Sequence, residues 1–416
     1  MKIAALQTHI RAVIKSAENS RPDYSSIDYG VELLYYQVVS QVEPKARAKY
    51  QAIYRSIKDA IASGQYKAGE RLPSESELVK TFGASRITVN RALRELQLGG
   101  VINRRAGSGS YVGTDVGRNY TFGLLIPELG QTEVFEPICR GMAEAQATDG
   151  QHVLQWSKSL GDSDARESQA VELCRQMAAQ KISGVFFAPM ELTSAKDAVN
   201  QNIVNTFDQA GIPVVLLDRD LVGYPDRSGY DLVGIDNRRA GYAITAHLLS
   251  VGCKRIAFVA RLGSAPTVDA RIAGYREAML DSQTPWDHSF VRRITPLDKK
   301  AVSEMMSSVR PDGIVCANDF TAANLMKTLG ELGFAVPGEV RMGGIDDVKY
   351  ASLLAVPLTT IHQPCVEMGA AAVATMIQRL RSPGLPARDV LLNFRLVVRE
   401  STVASRAHDV AVSLAD

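Results

Sequence analysis

The sequence predicts an α/β protein in which a small basic head precedes a large body of parallel sheets, and three observations carry that prediction. Residues 69–112 read position by position as helix, turn, helix and hairpin. From Tyr120 onward, short apolar runs alternate with amphipathic stretches. Charge separates the two regions: residues 45–113 hold 13 Lys plus Arg against 5 Asp plus Glu, a net of +8, whereas residues 1–44 carry −1 and the remainder −5, although the whole chain is only +2. A basic head on a mildly acidic body confines any nucleic-acid footprint to one module.

In the head, Ser74 is placed to cap a helix and Glu77 to close a capping box, with Leu78, Val79 and Phe82 as its apolar face. Gly83 ends that helix. Ser85 caps a second, in which Val89, Ala92, Leu93 and Leu96 form one stripe, while Arg86, Ile87, Asn90, Arg91 and Arg94 take the other face. Val101 to Asn103 and Ser110 to Val112 then read as two strands, and the intervening Arg104 to Gly109 has two cations and two glycines, suited to a hairpin tip against a phosphate backbone. A short turn followed by a helix that is basic on its free face is the shape that enters a major groove. Two capped helices and a glycine wing in order outweigh the alternative that the arginines are merely a solvated face.

These residues, TVNRALREL above all, resemble the winged helix-turn-helix of the GntR family, in its HutC-type branch, over residues 45–113. The resemblance implies a first helix from Arg47 to Ser63, packed through Ile53, Ile57, Ala60 and Ile61. It also implies DNA contacts from Arg71, Ser74 and Ser76 at helix two, from Ser85, Arg86, Thr88, Asn90 and Arg91 in the recognition helix, and from Arg104 and Gly107 in the wing. Arg86 suits guanine and Asn90 adenine, or either holds phosphate.

The body follows from its periodicity. FGLLI, HVLQW, GVFFA, PVVLL, DLVGI, RIAFVA, GIVCA and VRMGGI read as strands, separated by helical stretches at 138–148, 168–180, 195–210, 242–251, 271–280, 299–309 and 320–332. That alternation implies parallel sheets covered on both faces, with ligands at the carboxyl ends of the strands.

Residues 119–405 also resemble the effector domain of the LacI and periplasmic sugar-binding superfamily, in phrases such as PVVLLDRD, VGIDNRRAGYAITAHLL and DGIVCANDFTAANL. The resemblance implies a two-lobed, periplasmic-binding-protein-like fold with crossings near Asp236, Gln363 and Leu391, and a cleft lined by Glu133, Phe135, Glu136, Asp218, Arg271, Asn318, Asp319, Asp346 and Gln363. Carboxylates, amides and an Arg fork satisfy the hydroxyls of a sugar. The competing reading makes Asp218 and Asp346 helix caps, whereas Arg271 is expected at a helix start. The family's aromatic pair after the first strand is replaced by Val134 and Phe135.

Head and body together resemble the arabinose repressor subfamily. The implied function is transcription repression on double-stranded operator DNA by a cytoplasmic homodimer, relieved by arabinose or another monosaccharide. A purine or phosphorylated corepressor and a sugar-transport component are the rival readings. The chain then divides into a mobile extension at 1–44, or one due to an upstream start codon, a head at 45–113, a linker at 114–119, an effector domain at 120–405 and a tail at 406–416.

Other classes find little support. No apolar run reaches about 18 residues, so no membrane partner is expected. Cys139, Cys174, Cys253, Cys316 and Cys365 lack CxxC spacing, and the six histidines lack metal-ligand spacing, so neither a disulfide framework nor a metal or other cofactor is expected. There is no GxSxG, P-loop or dinucleotide fingerprint, and an enzyme is not expected.

Overall fold

The computed structural model describes residues 49–98, 101–105, 107–113, 120–126, 133–149, 152–156 and 165–403. The readings placed on 1–44, on the 114–119 linker and on the 406–416 tail lie outside the described residues. The chain divides into two compact units, one on either side of the boundary between residues 116 and 117.

In the first unit, helix α1 spans residues 49–62, α2 Glu75–Phe82, α3 Arg86–Leu98, and strands β1 and β2 are Ile102–Arg105 and Gly109–Val112. The capping box forms as its spacing requires: Glu77 N donates to Ser74 Oγ at 3.3 Å and Ser74 N to Glu77 Oε2 at 2.7 Å. Gly83, at φ 54°, takes the left-handed turn that stops α2. Ile53, Ile57 and Ile61 from α1 meet Leu78, Val89, Ala92, Leu93, Leu96 and Ile102 in one core. The wing differs slightly from expectation, because Arg104 and Arg105 belong to β1 rather than to the tip. They pair in antiparallel register with Ser110 and Gly109, leaving Gly107, at φ 73°, in the turn.

The second unit has two lobes. β3 (Tyr120–Leu125), α4 (Phe135–Asp149), β4 (His152–Trp156), α5 (Arg166–Ala179), β5 (Gly184–Phe187), α6 (Lys196–Gln209), β6 (Val214–Leu217) and β7 (Asp231–Ile235) build the first. The second continues with α7 (Asn237–Ser250), β8 (Ile256–Ala260), α8 (Pro266–Asp281), β9 (Val291–Arg293), α9 (Lys299–Val309), β10 (Gly313–Cys316), α10 (Asp319–Glu331), β11 (Arg341–Asp346) and β12 (Thr359–His362). Then α11 (Cys365–Arg381) and β13 (Asp389–Leu392) return to the first lobe, and β14 (Arg395–Val397) ends in the second. The sheet orders are β13-β7-β6-β5-β3-β4, all parallel, and β14-β12-β11-β10-β8-β9, parallel except for β14. β5, β6, β8 and β10 are buried at every residue, as strands covered on both faces must be.

The chain therefore passes between lobes at 236, at 363–364 and at 393–394. At the first passage Asp236 caps α7, accepting from Arg239 N at 3.0 Å. Periodicity had not revealed β9, β12, β13 and β14, which are three or four residues long and partly polar. Two helices begin five residues earlier than expected: α7 at Asn237, and α8 at Pro266, whose fixed φ suits a first helical position.

Candidate functional site

Two surfaces collect the residues singled out from sequence. In the head, a groove of about 460 Å³ runs between the start of α2 and the wing, lined by Ser74, Glu75, Arg104 and Gly107 among others. Arg104 Nη1 donates to Asn90 Oδ1 at 2.8 Å, Asn90 Nδ2 donates to Glu75 Oε2 at 3.2 Å, and Arg104 Nη2 pairs with Glu75 Oε1. Glu75 also lies 4.0 Å from Arg86 Nε. This carboxylate, which sequence reasoning passed over, ties wing, recognition helix and α2 together and holds two expected DNA-contacting side chains in place.

The other expected head residues divide into two groups. Ser85 caps α3, accepting from Thr88 N at 3.2 Å, and the two hydroxyls meet at 2.8 Å. Arg91 stacks over the Tyr50 ring at 4.9 Å, so part of its cation is used against α1. Arg71 bridges to Tyr111 and packs along Gly109, where a Cβ would approach its Nε to 3.1 Å. Ser76 and Arg86 are exposed, Arg86 with 73% of its side chain in solvent.

In the body, a small cavity of about 30 Å³ lies at the carboxyl ends of the strands, where the lobes meet. It is lined by Val134, Phe135, Glu191, Asp218 and Arg219 from the first lobe and Thr267, Val268, Arg271, Asn318 and Asp346 from the second. Hollows of about 290 and 340 Å³ adjoin it; the former shares Asp218 and Thr267, the latter shares Val134 and Asp346 and adds Glu133 and Gln363. The central space has room for about two waters.

Among the described residues, hydrogen bonds bridge the lobes: Ala265 N donates to Glu191 Oε2 at 2.7 Å, Leu192 N to Gly263 O at 2.8 Å, and Lys349 N to Glu133 Oε2 at 2.9 Å.

The electrostatics are those of a polar site removed from water. Asp218 follows β6 with φ 66°, and its Oδ1 is buried without a hydrogen-bond partner. Burial pushes its carboxyl above the ordinary range, against the pull of Arg219 and Arg271. No helix follows it, and Asp346 likewise precedes no helix that it caps, so the capping alternative fails for both. Asp346 Oδ1 accepts from Gln363 Nε2 at 2.7 Å and faces Arg271 Nη2 at 3.7 Å; burial raises it too. Gln363 Oε1 is buried and unpartnered. Burial also raises Glu191, but the Arg219 guanidinium, 2.5 Å away, brings it below its ordinary value. Arg219 in turn lies over the Phe135 ring at 5.2 Å.

Several expectations need correction. Arg271 is in the second turn of α8, not at its start, and is held by Asn237 Oδ1 at 2.8 Å and Ala317 O at 2.6 Å. Asn318 lines the cavity while capping α10 through Thr321 N at 2.9 Å. Asp319, its neighbour, turns away from the cavity: it is fully buried, accepting from Thr360 Oγ1 at 2.6 Å and Val348 N at 3.1 Å, and so braces the turn after β11. Glu136 is exposed on α4 and lines neither the cavity nor the two hollows. Glu191 and Arg219 belong to the site, and neither was among the residues carried over from sequence.

Among the described residues, no group of His, Cys, Asp and Glu is arranged to hold a metal, and no helix is long and apolar enough to cross a membrane.

Comparison with known proteins agrees with this division. The gntR family of bacterial regulatory proteins matches residues 49–112, and the periplasmic binding protein-like domain matches residues 245–402. The arabinose metabolism transcriptional repressor of Geobacillus stearothermophilus is 27% identical over 374 residues, which span 87% of this chain and 99% of that protein. Its counterpart in Halalkalibacterium halodurans is 27% identical over 379 residues, 86% of this chain and 98% of that protein. A solved complex of the transcriptional regulator CelR with cellobiose superposes with a TM-score of 0.57 at 26% identity, over 76% of this chain and 90% of that one. The chain thus joins a gntR-family head to a periplasmic binding protein-like body, and over most of its length it is similar to arabinose metabolism transcriptional repressors.

Proposed function

We propose that the chain is a homodimeric, sequence-specific repressor that a monosaccharide, arabinose foremost, releases from its operator. The observation that carries this reading is the convergence, from both lobes, of Asp218, Asp346, Glu191, Asn318, Arg219 and Arg271 on one cavity in a chain that also bears a capped helix-turn-helix with a basic free face. Hydroxyls donate and accept in turn, and they suit a site offering buried acceptors and guanidinium donors together. Asp218 Oδ1 and Gln363 Oε1 are acceptors waiting for such donors. A phosphorylated corepressor suits the cavity less well, because it would face three carboxylates while both guanidinium groups already have protein partners. A sugar-transport role is set aside by the head and by relatives that are transcriptional repressors over nearly their whole length.

Ligand binding and DNA binding are then linked reciprocally, so operator DNA weakens sugar binding by the factor by which sugar weakens DNA binding. Fluorescence anisotropy on DNA from the chain's own upstream region, titrated with arabinose, other pentoses, hexoses and sugar phosphates at fixed salt, tests the proposal. Release by one sugar is expected. Tightening would reverse the regulatory sign, and indifference to every sugar would remove the carbohydrate reading.

A further inference from the structure

The geometry points to Ile87 as a sequence-reading residue that recognises the 5-methyl group of a thymine in the major groove. This rests on the head being a DNA reader, and it goes beyond the polar contacts assigned above. Ile87 is 83% exposed, the most exposed large apolar side chain among the described residues. At about 100° per residue, it lies roughly opposite the stripe of Val89, Ala92, Leu93 and Leu96, all of which are fully buried. Arg91 and Arg94 fall within about 40° of the same meridian, so the apolar side chain heads a row of cations.

Neighbouring side chains near the start of α3 make hydrogen bonds within the head. The Ser85 and Thr88 hydroxyls are tied to each other, and Asn90 is held between Arg104 and Glu75. Arg86 and Ile87 project with most of their side chains in solvent. The cap also fixes the backbone beneath them. A branched aliphatic side chain cannot replace a phosphate's counterions or satisfy a base donor. In the groove the thymine methyl is the group it can desolvate. Single exposed apolar residues are common, but this one sits at the end of the recognition helix that enters the groove first.

The test uses duplexes enriched by the full chain from a random pool, with each thymine of a half-site replaced singly by deoxyuridine, which removes only the methyl. At one position per half-site the native chain should lose about fourfold in affinity, one methyl's worth of apolar burial. Ile87→Ala should bind thymine and uracil duplexes equally at that position, with a melting temperature close to the native one because the side chain is 83% exposed. Ile87→Val should keep most of the discrimination. Uracil tolerated at every position by the native chain, or a thymine preference surviving in Ile87→Ala, would overturn the assignment while leaving the head a DNA reader. Failure to enrich any duplex would instead remove the DNA-reading premise and the assignment with it.

Discussion

Replacing Asp218 with Asn should stabilise the body and weaken its sugar. The carboxylate oxygen Oδ1 is buried without a partner, and burial raises the group's pKa in spite of Arg219 and Arg271. An unsatisfied buried acceptor costs about 1–3 kcal/mol, and the two cations offset part of that. Asn keeps the shape, removes the buried charge and tolerates the positive φ of 66° at this position. The expected gain is about 1 kcal/mol, or about 2–3 °C in melting temperature for a domain of this size. The sign with pH follows from the raised native value. Folding takes up a proton at Asp218 above the ordinary carboxylate range, so the native chain loses stability as pH rises through that window while the Asn variant does not. The gap in melting temperature should therefore widen as pH rises above the ordinary carboxylate range. In calorimetry the same change should cost a bound sugar about 1.5–3 kcal/mol, roughly 10- to 150-fold, since a charged acceptor is lost. A variant that melts lower at every pH would show that Arg219 and Arg271 fully compensate Asp218. Unchanged sugar affinity would remove Asp218 from the binding set.

Glu191→Ala should destabilise the body by about 3–5 kcal/mol, because it removes the carboxylate partner of a guanidinium that is only 3% exposed; thermal unfolding checks this, and a loss below about 1 kcal/mol would mean that solvent reaches Arg219. Asn90→Ala should relax base preference at one operator position, whereas Arg104→Ala should weaken all sequences alike and flatten the log affinity against log salt slope by about 1, as measured on matched and scrambled duplexes. Gly141→Ala should cost at least about 3 kcal/mol, at the upper end of overpacking losses, since its Cβ would stand 1.9 Å from Val366 O; a variant melting like the native chain would refute that close approach.

Local chemistry was legible in the sequence wherever a few neighbouring residues decide it. The Ser74 and Glu77 box, the Gly83 stop and the buried stripe of α3 all lie where short-range spacing puts them. Phrase-level resemblance singled out Asp218, Asn318 and Asp346, which the fold brings to one cavity. What stayed hidden depends on contacts remote in the chain. Glu191 joins the site through Ala265, 74 residues away, and Glu75 through Arg104, 29 away. Asn318 and Asp319 are adjacent and equally polar, yet one faces the cavity and the other Thr360, a choice made by where β12 packs. Pro266 offered a helix start that the apolar periodicity of α8 obscured, because that helix is buried on several sides.

The close helix pairs also bear on how the body moves. Gly141 and Gly369 let α4 and α11 touch backbone to backbone, and Gly241 and Gly274 do the same for α7 and α8. α7 and α11 are the helices that emerge from the first two passages between lobes. Each is riveted to a neighbour within its first turns, so a torque arriving through a passage cannot dissipate by one helix sliding on another. The lobes then behave as stiff jaws, and the residues at 236, 363–364 and 393–394 must absorb the rotation between them. A bulkier residue in any of these seams would slacken the joint and uncouple opening at the mouth from movement at the far end, even with every sugar-facing side chain intact.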